Sequence, residues 1–256
     1  MTTEELLESW RREERPQPEG WDFSAMTSRM TESHVPWDLD AEYRRALPLA
    51  TRVLDMGTGG GEYLLTFRDI LPADTVATEA WAPNLATAGE ALRPFSIPVI
   101  DYGAPDEDPD SVDMPFPDNR FDLVLNRHES FSAKELARVI EPGGVFLTQQ
   151  VGGDECGELN DWFGSHEELP HINFTDVRAG LERAGFTLVD GGEHVGAYRF
   201  PDVAALLAYL HLVPWELPVD FSVDRYKDQL LALHERAAYQ PVELTRKRFW
   251  LKAVRN

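Results

Sequence analysis

The chain has 256 residues, 43% of them hydrophobic, and carries 24 Lys and Arg against 45 Asp and Glu, a net charge of −21. That length suits one globular domain of generous size, or one domain with an appended lid, and such acidity penalises a nucleic-acid partner while also serving plain solubility. The single cysteine, Cys156, excludes an internal disulfide framework, and the longest apolar run, Val203 to Val213, falls short of the ~20 residues a bilayer span needs.

In chain order, Glu4 to Glu14 patterns as a short amphipathic helix. Its charged start carries no apolar signal-peptide core, so the expected location is cytoplasmic, with no membrane partner. An irregular, aromatic-containing segment follows, PQPEGWDFSAMTSRMTESHVPWD. A helix from about Asp38 then sets Leu39, Tyr43 and Leu47 on one face. From there the pattern alternates. TRVLDM reads as a strand, GEYLLTFRDIL as a helix, DTVATE as a strand, and PNLATAGEAL as a helix with Pro83 at its first position. IPVID is a third strand and, after an acidic, proline-rich loop, FDLVLN a fourth. Ser132 and Glu135 form a capping box that opens a helix through Ile140. Pro142-Gly143-Gly144 stops that helix, and VFLTQQV is a fifth strand. A helix over Thr175 to Ala184 aligns Val177, Leu181 and Ala184, with Gly185 as its C-terminal cap. FTLVDGGEHVGAYRF holds a sixth strand and RKRFWLKAV a seventh.

Alternating strands and helices imply an α/β fold, a doubly wound and mostly parallel seven-stranded sheet, because parallel strands need crossover connections. The expected organisation is an N-terminal helical lid segment over 1–50, a core over 51–200, a helical lid insertion over 201–241, and the last strand over 242–256.

The stretch VLDMGTGGGEYLL joins a strand to a helix through a glycine-dense turn. A dinucleotide fingerprint starting at Gly57 finds Gly59 in place but Glu62 where a third glycine belongs, and a carboxylate there repels a pyrophosphate. The phosphate loop of nucleoside triphosphatases needs a Lys after its glycines, and none follows. What fits is D-x-G-x-G-x-G, with Asp55, Gly57, Gly59 and Gly61. Here the sequence resembles the class I S-adenosylmethionine-dependent methyltransferases, which have a Rossmann-like fold. Their cofactor has an ammonium, a carboxylate and a sulfonium but no phosphate, so an acidic residue beside it is a partner. The glycines allow close backbone approach, and a helix N-terminus suits the cofactor's carboxylate.

Three further stretches continue the resemblance over roughly 52–150. Glu79 ends the second strand, where the family's acid accepts hydrogen bonds from the ribose hydroxyls, with Ala80 and Trp81 flanking the adenine. DSVDMPFPDNRFDLVLN is similar to the run before the family's fourth strand and puts Asp110 and Ser111 at the adenine, with Asp101 as the alternative to Asp110. VIEPGGVFLTQQ is similar to the helix–PGG–strand passage that follows. The resemblance therefore implies S-adenosylmethionine as cofactor, S-adenosylhomocysteine as product, and a cofactor site of Asp55, Gly57, Thr58, Gly59, Gly61, Glu79, Ala80, Trp81, Asp110, Ser111 and Asn126.

Methyl transfer from a sulfonium mainly needs alignment and exclusion of water, and a base only where the acceptor loses a proton. The family's acceptor site lies beside the fourth and fifth strands. There His128 is the candidate catalytic residue, taking a proton or orienting a hydroxyl or amine, or else caps the next helix. Glu129 either binds a cationic acceptor or decorates the helix start, and Arg127 either anchors a carboxylate or pairs with a nearby acid. Candidate acceptor walls are Trp21, Phe23 and Trp37, with Tyr198, Phe200, Tyr209 and Trp215 from the later segment; the same aromatics also suit a lid core. With Trp37, His128, Glu129, Tyr198 and Trp215 binding substrate, the expected reaction methylates an O, N or C atom of a small molecule. The alternatives are an RNA or protein methyltransferase and a non-catalytic cofactor-binding protein. The histidines lack metal-ligand spacing, so no metal is expected.

Overall fold

The computed structural model describes residues 2–14, 26–164 and 169–256. Trp21, Phe23 and His166 lie outside the described residues. The described helices are α1 (Thr3–Arg11), α2 (Leu39–Ala46), α3 (Glu62–Leu65), α4 (Ala82–Leu92), α5 (Ala133–Val139), α6 (Glu158–Phe163), α7 (Phe174–Arg183), α8 (Val203–Leu210) and α9 (Lys227–Ala237). The strands are β1 (Thr31–Glu32), β2 (Arg52–Met56), β3 (Asp74–Glu79), β4 (Val99–Asp101), β5 (Phe121–Arg127), β6 (Ile140–Val151), β7 (Phe186–Phe200) and β8 (Val242–Arg255).

The strands hydrogen-bond in the order β1-β7-β8-β6-β5-β2-β3-β4. β2 pairs in parallel with both β3 and β5, β4 extends the β3 side, and β6 extends the β5 side. β8 runs antiparallel to β6. The α/β, mostly parallel architecture is as the sequence implies, with eight strands instead of seven. The extra strand, β1, is two exposed residues paired antiparallel to the end of β7, too short for any periodicity to announce it.

The chain divides into two compact units. One comprises Pro36–Gly153, Pro170–His194 and Arg248–Asn256. Its sheet is built on runs such as Val53, Leu54 and Met56 in β2, all at most 1% exposed, which is what a strand covered on both faces requires. Asp38 caps α2 by accepting from Ala41 N–H, and Ser132 caps α5 by accepting from Glu135 N–H.

The other unit comprises Met1–Val35, Asp154–Leu169 and Val195–Lys247, and so is interleaved with the first along the chain. Its core gathers Leu6, Leu7 and Trp10 of α1, Leu159 and Phe163 of α6, Leu206 and Leu210 of α8, and Leu230 and Leu233 of α9. Fully burying a Leu or Phe contributes roughly 1.5–3 kcal/mol, so this cluster is a core in its own right. No described helix is long and apolar enough to cross a membrane.

Candidate functional site

The strand order reverses between β5 and β2, since the chain proceeds outward through β3 and β4 on one side and through β6 on the other. Open α/β sheets bind ligands at such a point, beyond the carboxyl ends of the strands. Asp55 and Met56 end β2 there, in register with Leu125 and Asn126 of β5.

The turn after β2 is made by glycines in left-handed backbone: Gly57 at φ +63°, Gly59 at +62° and Gly61 at +89°. Only glycine adopts these angles without strain. The turn is tied down from the neighbouring strand, with Thr58 N–H donating to Thr78 O at 2.9 Å. The Glu79 carboxylate completes the tie. Its Oε2 accepts Gly59 N–H at 2.8 Å, and its Oε1 accepts the N–H groups of Ala80 at 3.0 Å and Trp81 at 2.9 Å. Asp55, 6% exposed, is pushed up to about 7, first by burial and also by the charge of Glu79, against the opposing pull of Thr58 and Arg127.

Glu62 folds its carboxylate over Gly60, so the crest of the turn presents negative charge. A phosphate would be repelled there. The arrangement suits a cationic nucleoside that needs close backbone approach, and it gives no seat to a pyrophosphate.

A family model for a methyltransferase domain matches residues 54–148. The chain is 32% identical over 120 residues to the probable phthiotriol/phenolphthiotriol dimycocerosates methyltransferase 2 of Mycobacterium ulcerans (strain Agy99), a match spanning 43% of each protein. Among solved structures, a protein of Bacillus halodurans C-125 assigned as a methyltransferase has a TM-score of 0.56 at 18% identity, covering 85% of this chain and 98% of that one. The YcgJ protein of Bacillus subtilis has a TM-score of 0.54 at 17% identity, covering 85% and 97%. These two show the fold. Residues 54–148 thus match a methyltransferase domain, on the fold those structures share.

Within the methyltransferase domain, the structure brings Asp55, Gly57, Thr58, Gly59, Gly61, Glu79, Ala80 and Trp81 together around the glycine turn. The other expected residues are placed less simply. α3 is a single turn, because the Thr66 hydroxyl donates to Tyr63 O and the chain continues in three-residue turns. The expected helix N-terminus is therefore too short to supply an anion site. Asn126 is fully buried and its amide is consumed internally: Oδ1 accepts from Thr148 and Gln150, and Nδ2 donates to the Glu129 carbonyl at 3.1 Å. It positions the loop after β5. Asp110 accepts from Ser132 at the start of α5, and Ser111 donates to the Asp108 carbonyl at 2.7 Å, both exposed. Asp101, by contrast, pairs with Glu79 across β3 and β4.

His128 is exposed, with φ +65° and its N–H on the Gln149 carbonyl at 2.8 Å. Its ring Nε2 lies 3.0 Å from Gln149 Nε2, while Gln149 Oε1 accepts the Trp37 indole N–H at 2.8 Å. An indole only donates, so it fixes the amide oxygen toward itself and the amide NH₂ toward the histidine. Nε2 of His128 is then the acceptor, which leaves the ring proton on Nδ1. Gln149 escaped the sequence reading; the available signal was a polar Thr-Gln-Gln run ending an otherwise apolar strand.

Arg127 stacks over the Tyr63 ring at 4.2 Å. Tyr198, Phe200 and Tyr209 belong to the other unit and are buried in its core, Tyr198 donating to Glu155 at 3.1 Å. Trp215, in the same unit, is 55% exposed. No described group of three or more His, Cys, Asp and Glu side chains has metal-ligating geometry.

Proposed function

We propose that the protein is an S-adenosylmethionine-dependent methyltransferase acting on a small molecule. The observation that carries the cofactor reading is the glycine turn clasped by Glu79, with carboxylates where a phosphate cofactor would need cations. The residues fit the group: a Cβ on Gly57 would come within 2.6 Å of Glu129 Cβ, so a side chain approaches the turn this closely only because the glycine has none of its own. Asp55, the 57–61 turn and Glu79 would hold the cofactor, with Ala80, Trp81 and Asp101 toward its base. When bound, S-adenosylmethionine would supply an electrophilic methyl group on a sulfonium.

The chain's own residues then position the acceptor and exclude water. His128, held as the Nδ1–H form, would act as a hydrogen-bond donor from Nδ1, and removing the acceptor's proton at Nε2 requires Gln149 to let go. A small-molecule acceptor is supported by the net charge of −21, which disfavours RNA. It is further supported by the Mycobacterium ulcerans relative, named as a probable methyltransferase of phthiotriol and phenolphthiotriol dimycocerosates.

The test is titration calorimetry with S-adenosylmethionine, followed by incubation of methyl-labelled cofactor with fractionated small-molecule and RNA pools. Binding and label in the small-molecule fraction support the reading. Label in RNA would overturn the substrate class, and no binding would overturn the cofactor.

A further inference from the structure

The side chain of Glu129 leaves the end of β5 and crosses to the glycine turn. A Cβ on Gly57 would lie 2.7 Å from Glu129 Oε2, and one on Gly103 would lie 3.0 Å from Oε1. The carboxyl group thus sits between two glycines, one after β2 and one after β4. Its backbone is pinned there, because Asn126 Nδ2 and Gln150 Nε2 both donate to the Glu129 carbonyl, at 3.1 and 3.0 Å.

The carboxyl itself is held without a partner. Among the described residues no hydrogen-bond donor or cation reaches its oxygens. The charges that bear on it, Glu79 and Asp106, are both negative. Burial, with those two carboxylates, pushes it up to about 8. A partly buried carboxyl amid like charges is stabilised in its ionised form by any cation brought into the cleft.

S-adenosylmethionine and S-adenosylhomocysteine share adenine, ribose, ammonium and carboxylate. They differ by one methyl group and one positive charge. A residue that distinguishes them strongly must act on that charge, and Glu129 is the acid that reaches into the turn with no internal partner. Resting on the cofactor reading above, we propose that Glu129 sets the preference of this site for the sulfonium cofactor over its neutral thioether product. The proton balance is simple. Near neutral pH the free protein holds Glu129 as the acid, the sulfonium draws it to the carboxylate, and the proton leaves to solvent. The thioether, which brings only the shared ammonium, draws less of it off.

Calorimetry of the full chain at pH 7, in two buffers of different ionisation enthalpy, counts those protons for each ligand. The wild type should release more protons with S-adenosylmethionine than with S-adenosylhomocysteine, and should bind the former more tightly as pH rises toward 8. Glu129→Gln should lower the affinity ratio of the two by about tenfold, abolish the difference in proton release, and leave affinity for the thioether unchanged. Glu129→Asp, which keeps the charge but shortens the reach, should give an intermediate ratio. An unchanged ratio in Glu129→Gln overturns the proposal, as does equal weakening of both ligands. Equal proton counts in the wild type overturn it without any variant. Failure of the wild type to bind either ligand would instead remove the cofactor reading on which this rests.

Discussion

Glu79 Oε2 accepts the Gly59 N–H at 2.8 Å, so the end of β3 and the crest of the glycine turn form one hydrogen-bonded unit. Three backbone donors converge on this carboxylate. Hydrogen bonds to a charged group are worth about 1.5–3 kcal/mol each. Glu79→Ala should therefore weaken S-adenosylmethionine binding by about 100-fold or more. Glu79→Gln should lie between, because an amide presents one acceptor and turns a donor toward backbone N–H groups. Calorimetric affinities for both variants, with circular dichroism to verify folding, check this order.

Gly57 should tolerate no side chain. A left-handed residue with a Cβ costs roughly 1–2 kcal/mol, and here that Cβ would also meet Glu129 Cβ at 2.6 Å. Gly57→Ala should lower the midpoint of chemical denaturation. Combining it with Glu129→Gly should recover the steric part, so the double-mutant cycle should show a coupling of about 1 kcal/mol or more. Strict additivity would mean the two residues do not touch.

Asp55 makes stability depend on pH in a definite sense. Its folded value is raised from 3.8 to about 7, chiefly by burial, so the native state holds the proton longer than the unfolded chain. The stabilisation is complete below about pH 4 and is lost as pH rises to about 7, with a slope of up to ~1.4 kcal/mol per pH unit. Asp55→Asn should flatten that slope. Denaturation series at pH 4.5, 5.5 and 6.5 on the two proteins give the comparison.

Asp101 and Asp110 should separate cleanly. Asp101 pairs with Glu79 at the strand ends, whereas Asp110 accepts from Ser132, the N-cap of α5. Asp101→Ala should weaken cofactor binding severalfold with little change in stability. Ser132→Ala should cost about 1 kcal/mol of stability through the lost cap and leave cofactor affinity intact.

The Trp37–Gln149–His128 chain should be visible by nitrogen-15 NMR of the imidazole. Couplings in the wild type should report the proton on Nδ1, and Gln149→Leu should shift the population toward Nε2–H. Trp37→Phe should do so partially, since the amide is then free to turn over.

How much of this the sequence reveals depends on the range of the interactions. β2 and the glycine turn were legible because a buried parallel strand and a left-handed turn each write their demands into consecutive residues. Glu79 was legible from its place at a strand end. The partners of Asn126, Thr148 and Gln150, were not legible, because they come from a neighbouring strand whose register no local pattern reveals. The approach of the Glu129 side chain to Gly57 and Gly103, distant in sequence, was hidden for the same reason. α3 failed as a helix through one hydroxyl, Thr66, competing for a backbone carbonyl. The aromatics expected to wall the acceptor, Tyr198, Phe200 and Tyr209, are core residues, and composition alone does not distinguish the two uses.

The interleaved makeup of the Met1–Val35, Asp154–Leu169 and Val195–Lys247 unit has a consequence for synthesis on the ribosome. Leu6, Leu7 and Trp10 are made well before the residues that share their core, such as Leu206, Leu210 and Leu230. At roughly 5–20 residues per second the greasy face of the first helix waits some tens of seconds for company, and over that interval the nascent chain is an inviting client for a chaperone.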